Sequence, residues 1–313
     1  MNRDARLRHR TLFAGTASAT PCRAHARCVL WYNSPRPASN LSITVRFTKM
    51  SQPSHLIPIA LLRACLFAAL FCIPSQTFAA QAKTPAFRAV ALGEHAGIHR
   101  PFVEAAKTWL AKFSSENNFA VDYIEDTAKI DDAFLSQYAL FIQLDYPPYN
   151  WTPAAQAAFI KYIEQGKGGW IGFHHATLLG EFDGFPIWPW FQRFMGGIRF
   201  KDYIATFVTG HVTVEDKIHP VMAGVPSPFV IENEEWYTYD VSPRANVHVL
   251  ASVDESSYTP PTDKKMGDHF VIWTNEHMKA RNVYIFMGHR PEHFQNPVFT
   301  KIFSNAILWA AGR

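Results

Sequence analysis

GKGGWIGFHHAT, residues Gly166–Thr177, is the stretch on which the fold turns. Its centre, Gly168–Phe173, is a short apolar run bounded by glycine, which reads as a buried β-strand. Immediately upstream the sequence spells a helix. Thr152 and Pro153 supply the N-cap and first helical residue, Ala155, Ala158, Phe159, Tyr162 and Ile163 fall on one face, and Gly166 closes it. The same rhythm holds further back. Ala86–Leu92, Phe119–Ile124 and Tyr138–Leu144 read as strands, and Pro101 opens a helix whose apolar positions Phe102, Val103, Ala106, Trp109, Leu110 and Phe113 keep the 3.6-residue period. Strands alternating with helices predict an α/β fold, a mostly parallel, flavodoxin-like sheet flanked by helices. Beyond Gly180 the rhythm changes. Glu181–Phe200 reads as a loop rich in Trp, Phe and Gly, and segments around Ala205–Glu215, Val247–Val253 and His269–Trp273 predict an antiparallel β extension. Val283–Gly288 returns as a core strand, and Pro297 opens a last helix through Val298, Ile302, Phe303, Ala306, Ile307 and Trp309, ending at Gly312.

The first 82 residues read as a removable leader. Leu56–Ile73 is apolar apart from Arg63, and the ten uncharged residues Ala64–Ile73 are about half of the roughly 20 that a membrane-spanning helix needs. Ala80-Gln81-Ala82 fits a small-x-small cleavage site, which puts the mature start near Lys83. Met50 opens a complete signal peptide (50–82) by itself, so residues 1–49 are read as an upstream mis-called start rather than a transit peptide or a basic arm. The expectation is export to the periplasm or the outside, without a stable membrane anchor. Removing the leader changes the charge. Residues 83–313 hold 20 Lys+Arg and 25 Asp+Glu, net −5, against +4 for the whole chain, so a basic nucleic-acid surface loses its support. All four cysteines, Cys22, Cys28, Cys65 and Cys72, fall in the leader, which leaves residues 83–313, read as one domain, without a thiol nucleophile or thiolate ligand.

The strand of Gly169–Phe173 ends in His174-His175, and that of Val283–Met287 ends in Gly288-His289-Arg290-Pro291-Glu292-His293. In parallel sheets ligands gather at the carboxyl ends of strands, so histidines there suit acid–base work or a metal. A capped backbone carbonyl is the blander role. The loop Glu94–Arg100 adds His95 and His99, of which His95 joins the substrate-binding set. Glu232-Asn233-Glu234-Glu235-Trp236-Tyr237 pairs carboxylates with aromatics, a pattern for a metal, for a carboxyl of raised pKa, or for a solvated strand edge. No Walker or G-x-G-x-x-G sequence occurs in residues 83–313, so no nucleotide cofactor is expected, and no G-x-S-x-G elbow is present.

Six segments, Gly166–Thr177, FMGGIRF (Phe194–Phe200), HPVMAGVPSPF (His219–Phe229), ENEEWY (Glu232–Tyr237), YIFMGH (Tyr284–His289) and Asn296–Gly312, together resemble the ThuA-like family, named for trehalose utilisation. The resemblance runs from about Phe87 to Arg313. It implies a fold similar to class I glutamine amidotransferases, with His174 where those enzymes carry their nucleophile elbow, and with His289 and Glu292 resembling the His and Glu of their triad. Without a cysteine, glutamine hydrolysis through a thioester is excluded, and the scaffold serves other chemistry. Resemblance and residues together imply an enzyme acting on trehalose or a related keto-disaccharide by elimination, isomerisation or hydrolysis. His174 and His289 are metal ligands or an acid–base pair, Glu235 a third ligand or base, and Glu292 a further catalytic candidate. Trp188, Trp190, Trp236 and Tyr237 serve as sugar platforms. A divalent metal, zinc first, is compatible with this set. The partner expected is a small-molecule carbohydrate, with self-association left open. The alternative from another class is a non-catalytic sugar-binding protein on the same scaffold.

Overall fold

The computed structural model describes residues 84–313; the leader, its cleavage region and all four cysteines lie outside them. The chain runs β1 (Arg88–Gly93), α1 (Arg100–Glu116), β2 (Ala120–Ile124), α2 (Asp132–Leu135), β3 (Leu140–Leu144), α3 (Pro153–Glu164) and β4 (Gly169–Phe173). There follow α4 (Pro189–Phe194), β5 (Phe200–Tyr203), β6 (Val208–Val214), β7 (Phe229–Glu234), β8 (Tyr237–Tyr239), β9 (His248–Thr259), β10 (Phe270–Thr274), β11 (Asn282–Ile285) and α5 (Pro297–Ala310). Nine strands form one sheet in the order β2-β1-β3-β4-β11-β10-β9-β6-β7, and β5 pairs with β8 apart from it. From β2 to β11 the pairs are parallel, in the flavodoxin-like order, and from β11 to β7 they are antiparallel. The predicted sheet and its antiparallel extension are therefore both present.

Local chemistry explains the helix starts. The Thr152 hydroxyl accepts the N–H of Ala155 at 3.1 Å, and the Asn296 side chain accepts that of Val298 at 2.9 Å, each just before a proline that cannot donate. In β4 the two-residue period sends Trp170 to one face and Phe173 to the other. Phe173 packs on Phe303 of α5 and Phe102 of α1, while Trp170 packs on Phe191 and Phe194 of α4. Each such ring contributes roughly 1.5–3 kcal/mol through burial. This double cover makes the parallel strands almost wholly apolar, and β3 and β4 are buried at every position.

Several segments differ from expectation: α2, β7 and β8 have no predicted counterpart, and the strand read over Val283–Gly288 ends at Ile285. The loop predicted over Glu181–Phe200 contains α4, opened by Pro189, and the strand predicted over Val247–Val253 continues to Thr259 as the long β9. No helix among the described residues is long and apolar enough to cross a membrane.

Candidate functional site

Because β1, β3, β4 and β11 are parallel, their carboxyl ends share one edge of the sheet, and the segments that follow them meet there. Gly93–His99 follows β1, Asp145 follows β3, His174-His175 follows β4, and Gly288-His289 comes soon after β11. Glu235 joins them from the short connection between β7 and β8. One ligand atom from each of His99, His174, Glu235 and His289 lies within 4.8 Å of all the others. His99 Nε2 faces His289 Nδ1 at 2.9 Å, and Glu235 Oε2 stands 3.5 Å from both His174 Nε2 and His289 Nδ1. The three imidazoles are buried, while the Glu235 side chain keeps 15% exposure and marks the open side.

Each side chain is fixed by a different device. His174 takes φ +33° straight after β4, a left-handed conformation that a β-substituted residue adopts only under constraint. The constraint is visible: the hydroxyls of Tyr284 and Thr177 both donate to the His174 carbonyl, at 2.9 and 3.0 Å. Thr177 Oγ1 also lies 2.7 Å from the hydroxyls of Tyr239 and Tyr284. His174 Nδ1 faces the Phe286 carbonyl at 3.3 Å. A carbonyl can only accept, so the proton sits on Nδ1 and Nε2 turns a lone pair toward Glu235. His289 comes close because Gly288 has no side chain; a Cβ there would lie 2.5 Å from the His174 Cβ and 2.6 Å from Asp145 Oδ1.

Glu235 is held through its neighbour. Glu234 is fully buried, accepts the backbone N–H of Glu235 at 2.8 Å and of Gly288 at 3.2 Å, and pairs with His293 Nε2 at 2.6 Å. One carboxylate therefore ties the Glu235 turn to the His289 turn. His99 occupies the N-cap position of α1, with its Nδ1 3.4 Å from Glu94 Oε2; the same oxygen is 3.2 Å from His175 Nδ1. Burial, opposed by Glu94 and reinforced by the neighbouring imidazoles, brings His99 down to about 4. Burial alone would raise Glu94, yet His175 and His99 hold it at about 2. Glu235 is likewise lowered, burial being outweighed by His174 and His289. Asp145 behaves oppositely: fully buried and facing the charges of Glu94 and Glu234, its carboxyl is pushed well above the ordinary range.

The structure brings together three of the residues singled out in the sequence, His174, Glu235 and His289. Glu292 stands elsewhere, exposed and paired with Arg290 Nε at 3.1 Å; the buried partner in that segment is His293, which engages Glu234. His95 is exposed and outside the cluster, while His99 is inside it. The signal for His99 was its place just before the Arg100-Pro101 helix start, where a side chain is aimed by the helix rather than left on a loop. Trp188 and Trp190 pack tilted on each other at 5.6 Å between ring centres and against Phe191, and Trp236 stacks on Phe286 and donates Nε1–H to the Val208 carbonyl at 2.7 Å. Buried in this way, the three indoles present no free face to a sugar, because the sheet consumed their apolar area as core. Tyr237 is also buried, its ring 4.3 Å from that of His174, so it backs the imidazole. Beside the site Phe207 is 37% exposed, its ring 4.9 Å from that of His289 and with the Arg290 guanidinium over it at 4.9 Å.

The family model described as trehalose utilisation, ThuA, matches residues 88–310. Among solved structures, a ThuA-like protein from Bacteroides uniformis is 32% identical, over 73% of this chain and 93% of that one, with a TM-score of 0.65. A ThuA-like protein from Parabacteroides merdae, 18% identical over 73% of this chain and 90% of that one, shares the fold with a TM-score of 0.52. No match is found among curated proteins. With the family model spanning most of its length and the sheet order and strand-end site in place, the chain belongs to the ThuA, or trehalose utilisation, family.

Proposed function

We propose that this chain is an exported enzyme that acts on trehalose or a related keto-disaccharide by elimination, isomerisation or hydrolysis, at a divalent cation held by His99, His174, Glu235 and His289. The observation that carries the reading is the convergence of three imidazole nitrogens and one carboxylate oxygen on a single point. Ligands at zinc bonds of about 2.0–2.1 Å in tetrahedral array stand roughly 3.3 Å apart. Three of the six separations here are 2.9, 3.5 and 3.5 Å, and the others are no longer than 4.8 Å. His174 Nε2 is buried without a hydrogen-bond partner, which suits a metal ligand better than an orphaned polar atom. Zinc comes first among divalent ions because nitrogen and carboxylate donors suit it. The Phe286 carbonyl beside His174 Nδ1 is the kind of outer partner that orients such a ligand.

A divalent ion at this point would polarise a sugar carbonyl oxygen, which makes the neighbouring C–H acidic. The chain itself supplies the rest. Glu235 keeps its charge on the open side, the buried imidazoles exclude water behind it, and the partly exposed Phe207 with Arg290 over its ring borders the site beside His289. Export is supported by the leader's composition, and the keto-disaccharide by the family's role in trehalose utilisation.

The test uses the purified protein, with bound metal measured by mass spectrometry and turnover of 3-keto-trehalose followed directly. Loss of an outer partner already costs about 10–100-fold in metal affinity or activity, so His174→Ala and His289→Ala are each expected to lower turnover by more than about 100-fold and to lose the ion. A wild-type protein that binds no divalent ion, or full turnover in both variants, overturns the proposal.

A further inference from the structure

We infer that Glu94, His99 and His175 form a second cation site, which shares the His99 imidazole with the first and to that extent rests on the reading above. Glu94 Oε2 lies 3.4 Å from His99 Nδ1 and 3.2 Å from His175 Nδ1, and the three ligand atoms lie within 4.8 Å of one another. These separations bracket the roughly 3.3 Å edge of a tetrahedron built on bonds of about 2.0–2.1 Å. The donor chemistry, two imidazoles and an ionised carboxylate, repeats that of the first site.

A second observation points the same way. His99 is 2% exposed and its Nδ1 makes no hydrogen bond, and neither do the equally buried Glu94 Oε2 and His175 Nδ1. Three buried polar atoms left facing one another cost about 1–3 kcal/mol apiece. A single cation between them satisfies all three at once. The simpler role for Glu94, accepting an N–H from each imidazole, requires near-linear contacts, and neither contact has hydrogen-bond geometry.

With both sites filled, each nitrogen of His99 gives its lone pair to a different ion, and the single ring proton leaves to solvent. Two bonds of about 2.0–2.1 Å across the width of the ring set the ions roughly 6 Å apart. The second ion lies on the Glu94 and His175 side, where these side chains keep 25% and 15% exposure. It would therefore be the one nearer an incoming ligand.

Copper(II) is the probe, because two such ions joined through one imidazolate couple magnetically and lose paramagnetic resonance intensity. The metal-free full-length protein with Cys22, Cys28, Cys65 and Cys72 replaced by serine, so that no thiol binds or reduces the probe, is titrated with copper(II) and is expected to take up two ions per chain, with a resonance signal well below that of two isolated ions. His175→Ala and, independently, Glu94→Gln should each bind one ion with full intensity, their folding checked by thermal melting. The double variant His174→Ala/Glu235→Gln should retain one. Wild type binding a single ion that neither His175→Ala nor Glu94→Gln alters overturns the second site and leaves the first standing. Two ions with full, uncoupled signal overturn the sharing of His99. Wild type that binds none overturns both sites.

Discussion

Glu234 and Glu235 are neighbours in the chain and do opposite work. The extended backbone turns one carboxylate inward, where two backbone N–H groups and His293 surround it, and the other toward His174 and His289. The same separation of roles governs the aromatics. A buried Trp is worth far more to the core than to a ligand, and an exposed Phe the reverse. Trp236→Ala is expected to destabilise the protein by about 3–5 kcal/mol, read as a fall in the denaturation midpoint. Phe207→Ala should leave that midpoint within about 0.5 kcal/mol, as for surface positions. If the proposed keto-disaccharide is the substrate, it should nevertheless raise its KM about 2- to 10-fold, the equivalent of a stacking contact of about 0.5–1.5 kcal/mol. An unchanged KM would remove Phe207 from the binding surface.

Among the elements, the turn after β4 is held by several contacts at once, because His174 takes a positive φ there and its carbonyl accepts from both Thr177 and Tyr284. Thr177→Val keeps the shape and deletes the hydroxyl shared by Tyr239, Tyr284 and the His174 carbonyl. Two buried phenols then lose a partner, at about 1–3 kcal/mol. We expect lower stability and a lower kcat with the ion still bound, checked by denaturation and by metal content; loss of the ion with unchanged stability would contradict this account of the turn. Elements of this kind were legible to different degrees. β1, β3, β4 and α5 could be read from periodicity because they are buried in a regular way. α4 could not, since its six residues lie in an aromatic-rich stretch whose helicity is set by packing on Trp170. His99 escaped for a related reason: its direction depends on where α1 begins, and a loop sequence does not state which of two histidines the helix will aim inward.

At the scale of the molecule, what the sequence withheld was adjacency. Periodicity identifies a strand without saying which strand lies beside it, so β11 between β4 and β10 was not predictable from local pattern, although it is this placement that puts His289 beside His174. The site is consequently a clasp between distant parts of the chain, joining segments that follow β1, β4, β7 and β11. A cation held there binds the folded protein and has no preformed site in the unfolded chain, so it stabilises by mass action. At a free concentration of about 100 times Kd the gain is about 2.7 kcal/mol. For a domain of this size each kcal/mol moves Tm by about 2–4 °C, so removing the ion with a chelator should lower Tm by about 5–10 °C. Readdition of zinc should restore it, and chelator should lower the Tm of His174→Ala by less than it lowers that of the wild type. A wild-type Tm indifferent to chelation, in protein shown by mass spectrometry to have lost its metal, would mean that the clasp contributes nothing to the fold.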